Sequence, residues 1–317
     1  MSTYRTGLPQ LKKRAFLTDG GLETTLIFNH NIELPCFAAF ALLRDAAGRK
    51  TLKGYYLPYI AAAHTGGFGF ILDSVTWRAN RDWGHKLGYS PAALAAVNRD
   101  AIELLLELRS EHATADFPMV ISGAVGPRGD GYVAAAIMSV EAAEDYHSEQ
   151  IAVFAATEAD MIGAFTLTNV NEAIGIARAA RRLAIPAMIS FTLETDGRLP
   201  TGQSLKSAIE EVDAATDRAP AYYMINCAHP SHFAATLDEG GAWLTRLRGV
   251  RANASRRSHA ELDEAPDLDA GNPEELSAQY RELHDRFPQL TVLGGCCGTD
   301  HRHVACIAAS CRASVHV

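Results

Sequence analysis

Short apolar runs alternate with longer stretches that have apolar positions at helical spacing. The runs predict β-strands at 15–18, 68–73, 118–123, 160–167, 186–193, 222–226, 249–252 and 290–293. The intervening stretches predict helices at 54–66, 90–108, from 139 onward, 172–184, 204–216, 232–247 with an interruption at 240–241, 273–285 and 301–311. Strands that are apolar throughout are expected where both faces of a parallel sheet are covered. The chain is therefore predicted to be an α/β protein.

Eight strand–helix units in about 300 residues fit a single (β/α)8 TIM barrel that spans residues 1–317. The alternative is a doubly wound open sheet, which favours a glycine-rich phosphate turn after an early strand. The first such turn instead reads Asp19-Gly20-Gly21-Leu22-Glu23. The longest irregular stretch, at about 253–272, follows the seventh strand, where barrels carry active-site loops, and a surface excursion without a role in the site is the alternative.

Composition narrows the function classes without selecting one. Hydrophobic residues make up 48% of the chain and charged residues 21%, as in ordinary globular enzymes. A formal net charge of −8 excludes the basic face that nucleic-acid binding requires. No window of 18 uninterrupted apolar residues predicts a membrane span, and the N-terminus lacks a signal-like apolar region. We therefore expect a cytoplasmic protein, in which six cysteines indicate metal or catalytic chemistry rather than disulfides.

Cysteines stand out among the residues that follow the predicted strands. The strand ends carry Asp19, Asp73, Gly126, Thr166, Glu194, Cys227, Asn253 and the pair Cys296-Cys297. Barrel chemistry lies at these ends, so three thiols are expected to converge if strands six and eight share a rim. Three thiolates and one open position make a catalytic Zn²⁺ site. A vicinal disulfide between Cys296 and Cys297 is the alternative, and the nearby His229, His232, His301 and His303 are candidate ligands or local helix caps.

Three motifs carry a family resemblance. Residues 18–26 (TDGGLETTL), 226–230 (Asn-Cys-x-x-Pro) and 294–299 (GGCCGT) together resemble the homocysteine S-methyltransferase family, in the family's order. The resemblance implies a (β/α)8 barrel whose zinc is held by Cys227, Cys296 and Cys297, with the thiol of homocysteine in the open position. It also implies that the turn at 19–21 holds the substrate's amino-acid end and that Asn226 supports the site.

One stretch departs from the family pattern. Many members carry an acid after strand four that meets the substrate ammonium, whereas this chain reads AFTLTN at 164–169, with Thr166 and no acid. Glu194 and Glu23 are the candidates to replace it, and the alternative for each is an ordinary surface acid. The predicted substrate-binding residues are therefore Asp19, Gly20, Gly21, Glu23, Thr166, Glu194 and Asn226. Trp77, Trp83 and Tyr89 are candidates for a donor pocket, with ordinary packing as the alternative.

The expected activity is zinc-dependent methyl transfer from a small cationic donor, a sulfonium or quaternary ammonium, to homocysteine, which gives methionine. Three thiolates and one Zn²⁺ keep one negative charge, which suits a cationic donor. The expected partners are small molecules, with neither nucleic acid nor membrane. Two alternatives stay open: the same chemistry on another small thiol or selenol, and a non-catalytic barrel with structural zinc, whose fourth ligand would be His229 or His301.

Overall fold

The strands form one closed barrel. The computed structural model describes residues 2–134 and 137–312. The strands are β1 (Phe16–Leu17), β2 (Gly69–Asp73), β3 (Met119–Val125), β4 (Met161–Leu167), β5 (Ala187–Phe191), β6 (Tyr222–Asn226), β7 (Leu247–Ala252) and β8 (Val292–Gly295). Each pairs in parallel with the next, and β1 also pairs with β8, with Phe16 opposite Val292. The (β/α)8 prediction is confirmed, and the open-sheet alternative is wrong because this last pairing leaves no sheet edge.

Helices surround the barrel. They are α1 (Leu22–Thr24), α2 (Ala46–Gly66), α3 (Arg81–Lys86), α4 (Pro91–His112), α5 (Val140–Ala155), α6 (Val170–Arg182), α7 (Leu205–Thr216), α8 (Pro230–Asp238), α9 (His259–Asp263), α10 (Pro273–Arg286) and α11 (His301–Ser310). Short 3-10 helices lie at Pro9–Leu11, Pro35–Phe37, Ala39–Arg44 and Ala242–Arg246, and a π-turn at Thr25–Asn29. Across 2–134 and 137–312, no helix combines the length and the apolar character that crossing a membrane requires.

Helices begin directly after residues that cap their first turn. The structure also defines two predicted segments more closely. Ser90 caps α4 by accepting from the Ala93 N–H, as its sequence context predicts. The predicted interruption of the helix at 232–247 is confirmed: Gly240 and Gly241 adopt positive φ angles of 67° and 114° after the end of α8, and a 3-10 helix follows at Ala242–Arg246. The stretch at 253–272 is not wholly irregular: Ser258 begins the short helix α9 with a capping box.

Inward-facing side chains fill the barrel in layers. The lower layers are apolar and include Phe16, Ile71, Met188 and Met224. The layer nearest the carboxyl ends of the strands is different, because β2 and β7 there contribute the buried charges Asp73 and Arg251. The barrel therefore has an apolar body beneath a charged floor at the rim where barrel enzymes bind substrates.

Candidate active site

Three sulfurs meet at the carboxyl rim of the barrel. Cys227 directly follows β6, and Cys296 and Cys297 directly follow β8. Their Sγ atoms all lie within 4.8 Å of one another. The structure joins Cys227 and Cys296 as a disulfide, with Cα atoms 5.4 Å apart, and leaves Cys297 as a free thiol. The vicinal alternative is therefore wrong, and the expectation that every cysteine is reduced is not met for this pair.

The cluster contains no ligand besides the three cysteines. In the described ranges, no His, Asp or Glu ligand atom joins the sulfurs. His229 Nδ1 accepts from the Ser231 N–H at 3.2 Å at the start of α8, and burial lowers the pKa of His229 to about 4. His303 caps α11, and His301 is exposed. Burial also raises the pKa of Cys297 to about 11, so a nearby cation is needed to hold it as a thiolate at neutral pH.

Backbone strain orients Cys227 and Thr166. Cys227 has a φ of +53° and Thr166 a φ of +61°, a left-handed conformation that is uncommon outside glycine. The Asn226 side chain holds Thr166 there: its Oδ1 accepts from the Thr166 N–H at 2.8 Å, and its Nδ2 donates to the Thr166 hydroxyl at 2.8 Å. The same Nδ2 lies 3.8 Å from the sulfur of Cys296. Asn226 thus connects the end of β4 to the thiol cluster.

The motif at 18–26 packs directly on the motif at 294–299. The Gly21 N–H donates to the Thr299 carbonyl at 2.9 Å. A Cβ at Gly20 would lie 2.8 Å from the Thr299 carbonyl oxygen, and one at Gly21 would lie 2.6 Å from that of Cys296. Both positions therefore require glycine for close backbone approach. The two motifs form one unit, in which the turn after β1 supports the turn that carries Cys296 and Cys297.

A buried arginine and two aspartates form the floor. Arg251 donates to Asp19 Oδ1 and to Asp73 Oδ2, each at 2.6 Å, and to the Gly295 carbonyl at 3.0 Å. The Tyr55 hydroxyl donates to Asp19 Oδ2 at 3.0 Å, so both oxygens of Asp19 are engaged. Burial raises the pKa of Asp73 to about 6 and also raises that of Asp19. The network holds charge in the interior only because the arginine compensates both acids.

A cavity of about 390 Å³ opens above this floor and reaches the three cysteines. Its charged lining residues are Asp19, Glu23, Asp73, Asp130, Asp263, Asp267, Asp269, Arg78 and Arg251. Gly20, Gly21, Thr166 and Asn226 also line it. Burial raises the pKa of Glu23 to about 7, and no cation of the described chain lies within ion-pair distance of its carboxylate. Glu23 is thus an acid of the cavity wall without a basic partner.

Glu194 lies outside the cavity lining and contacts a histidine instead. Its Oε1 lies 3.2 Å from His259 Nδ1, and His259 Nε2 lies 2.6 Å from the carbonyl oxygen of Cys227. The ring of Tyr132 stacks on His259 with centroids 4.1 Å apart, and the Tyr132 hydroxyl donates to Cys297 Sγ at 3.4 Å. Neither Tyr132 nor His259 is predicted from the sequence as a site residue, because loops bring both of them to the site.

The three candidate aromatic residues separate in the structure. Trp77 lines the cavity, whereas Trp83 and Tyr89 do not. The Arg78 guanidinium lies between the rings of Trp77 and Trp83, 4.2 and 4.1 Å from their centroids. The Tyr89 hydroxyl accepts from Arg44 Nε at 2.7 Å on the outside of the barrel. Of the three, only Trp77 is placed to meet a ligand above the thiols.

Comparison with known proteins agrees with this geometry. The family model described as homocysteine S-methyltransferase matches residues 16–311. A protein named selenocysteine Se-methyltransferase, from Brassica oleracea var. italica, is 24% identical over 306 residues, which cover 89% of this chain and 85% of the relative. Two crystal structures of the homocysteine methyltransferase MmuM from Escherichia coli, an oxidized and a metallated form, share the fold with TM-scores of 0.74 and 0.71. Each is 20% identical to this chain, and the match covers 94% of this chain and 96% of MmuM. The chain therefore belongs to the homocysteine S-methyltransferase family and is a methyltransferase.

Proposed function

We propose that this protein transfers a methyl group from a small cationic donor to homocysteine, giving methionine, with Zn²⁺ held by Cys227, Cys296 and Cys297. The observation that carries the proposal is the convergence of three sulfurs within 4.8 Å at the mouth of a cavity, without a fourth ligand in the described ranges. Three thiolates with one open position are the donor set of a catalytic zinc. The metallated form of MmuM, which shares the fold, supports this assignment.

Reduction of the Cys227–Cys296 disulfide provides the second and third thiols of the site. Such a site needs a reducing compartment, so we place the enzyme in the cytoplasm. Bound zinc supplies one thing: it lowers the pKa of a coordinated acceptor thiol, so that the thiolate is present at neutral pH. Cys227 is buried and the other two cysteines are half-buried, and Asn226 holds the strand end beside Cys296.

The acceptor's amino-acid end is proposed to lie against the turn after β1, with its ammonium at Glu23. Asp19 is less available for this contact, because Arg251 and Tyr55 occupy its two oxygens. Glu194 is disfavoured by its position against His259, outside the cavity lining. Glu23 lines the cavity without a basic partner, and a substrate ammonium would favour its ionised form. Gly20 and Gly21 line the same wall, and Thr166 and Asn226 line the cavity near the sulfurs.

The cavity favours a donor that carries positive charge. Among the residues that the structure describes, seven acidic and two basic side chains line it. Both arginines are engaged, Arg251 with two aspartates and Arg78 between two indole rings. In the transfer, a bond forms between the acceptor sulfur and the methyl carbon while the donor's carbon–sulfur or carbon–nitrogen bond breaks. The pair of electrons from that bond leaves with the donor, which becomes a neutral thioether or amine group.

A selenol acceptor is the second candidate, because the Brassica relative is named for selenocysteine methylation. A purely structural zinc is disfavoured, because His229 is engaged as a helix cap and His301 is exposed. Parallel assays with homocysteine and selenocysteine, each with sulfonium and quaternary ammonium donors, separate the two acceptors. The acceptor with the higher kcat/KM identifies the substrate.

The decisive experiment measures zinc and methyl transfer in protein purified with a reductant. The parent is expected to hold about one zinc per chain. Cys297→Ala is expected to lose both the metal and methyl transfer, because two thiolates cannot complete the donor set. Cys306→Ala is the matched control, since this half-buried cysteine on α11 lies outside the cluster. Methyl transfer that is unchanged in Cys297→Ala would refute the proposal.

A further inference from the structure

We propose that His259 is a positioning residue that holds the three-cysteine site in its zinc-binding arrangement. It acts on Cys227 directly and on Cys297 through Tyr132. This inference rests on the proposed zinc site, but it concerns a residue that belongs to none of the three family motifs. The carrying observation is that one buried ring from the segment after β7 contacts the backbone of one site cysteine and stacks on the aromatic partner of another.

His259 is fixed on three sides. Its Nε2 lies 2.6 Å from the Cys227 carbonyl oxygen and 3.4 Å from the Thr192 hydroxyl. Its Nδ1 lies 3.2 Å from Glu194 Oε1. His259 is 5% exposed, so its contact with the Cys227 carbonyl is sheltered from water, whereas the partner Glu194 is half-buried. A short, buried hydrogen bond between a side chain and a backbone carbonyl is costly to lose, because the carbonyl is left without this donor.

The Cys227 carbonyl is the part of the site that needs such a partner. Cys227 is in a left-handed conformation, which persists only where the surroundings determine it. Its N–H donates to the Arg251 carbonyl at 3.1 Å, and its own carbonyl accepts from the Thr192 hydroxyl at 3.3 Å and from His259. The His259 contact is the shorter of those two. Without it, the backbone that aims the Cys227 sulfur toward the other cysteines is held less firmly.

The second contact reaches Cys297. Tyr132 stacks on His259 with an interplanar angle of 11°, and its hydroxyl donates to Cys297 Sγ at 3.4 Å. A hydrogen bond from a phenol stabilises a thiolate and orients it. Because Tyr132 comes from the loop after β3, the stacked ring of His259 supports the side chain by which that loop reaches the thiol cluster. Outer partners of this kind change metal affinity by about 10–100-fold.

The test compares zinc dissociation constants by chelator competition in reduced protein. His259→Ala is expected to weaken zinc binding about tenfold or more. His232→Ala is the matched control, because His232 Nε2 lies 2.9 Å from the Arg256 carbonyl in the same segment, whereas His232 lies outside the cavity lining. His259→Gln, whose amide keeps a donor, is expected to recover part of the affinity. If His232→Ala and His259→Ala weaken zinc binding equally, His259 has no specific role in the zinc site and the inference is overturned.

A second readout does not depend on the metal. In reduced, zinc-free protein, His259→Ala is expected to let iodoacetamide alkylate Cys297 several-fold faster, because the Tyr132 ring loses its support. Tyr132→Ala, which removes the ring itself, should raise the same rate, and the double variant should add little, since both changes remove one stacked contact. If the parent binds no zinc, the proposed function fails while alkylation still tests His259. If the parent binds zinc and both readouts of His259→Ala match it, only this inference is overturned.

Discussion

The two ends of the barrel differ in how completely their buried acids are paired. At the amino end, both oxygens of Asp160 are satisfied: they accept from the Tyr4 N–H at 2.7 Å, the Ile121 N–H at 2.9 Å and Arg109 Nη1 at 2.7 Å. The neighbouring Arg5 guanidinium donates to three carbonyl groups between residues 155 and 159. Tyr4 and Arg5 of the N-terminal segment therefore close this end with paired polar contacts, and we expect them to contribute stability and no chemistry.

The carboxyl end leaves contacts incomplete. Asp73 Oδ1 is buried without a hydrogen-bond partner, and burial raises the pKa values of Asp73 and Glu23. Cys227 and Thr166 hold left-handed backbone conformations. Each feature costs stability, and each lies against the cavity. The fold thus pairs the buried charge of Asp160 fully, whereas it holds strained backbone and incompletely paired acids beside the cavity, where a ligand can complete them.

The largest change in the free energy of unfolding is expected from removing Arg251, the cation that pairs with Asp19 and Asp73. Arg251→Met leaves Asp19 and Asp73 buried without compensation and should lower the free energy of unfolding by about 3–5 kcal/mol at pH 8. The loss should be smaller at pH 5, because the raised pKa values let the native state take up protons that relieve the repulsion. Urea unfolding at both pH values measures it. If the free energy of unfolding falls by less than about 1 kcal/mol at pH 8, Asp19 and Asp73 do not depend on Arg251 for charge compensation.

A smaller effect is expected at the amino end, and it should leave catalysis intact. Asp160→Asn breaks the ion pair with Arg109, whose side chain is 11% exposed and retains access to water. The expected loss is about 2–3 kcal/mol of unfolding free energy, as for hydrogen bonds to a charged group. Methyl-transfer kcat and acceptor KM at 25 °C should match the parent. A changed KM in this variant would break the division between a stabilising end and a functional end.

Periodicity and strand ends predict this architecture well, and they predict the thiol cluster because its members follow strands. Arg251 was missed because a charge inside a short strand conflicts with an all-apolar expectation. Alternation along β7 indicates it: Gly249 and Arg251 face the barrel interior, and Val250 and Ala252 face the surrounding helices. Tyr132 and His259 carry no comparable signal. Their place at the site depends on how two loops dock, and a disulfide between Cys227 and Cys296 is equally a matter of tertiary proximity.

The smallest change in the free energy of unfolding is expected for Glu23→Gln. This substitution should improve stability while it impairs acceptor binding. With a folded pKa of about 7 against an unfolded value of about 4.3, native Glu23 binds more protons than the unfolded chain, so stability falls as pH rises through this window. Glu23→Gln should therefore be about 1–2 kcal/mol more stable at pH 8 and closer to the parent at pH 4. Its acceptor KM should rise about tenfold at pH 8, because the ammonium loses a charged partner. Glu33→Gln, at an exposed position, is the control. An unchanged KM with increased stability would show that Glu23 is a strained acid without a role in acceptor binding, and would move the ammonium to the free oxygen of Asp73.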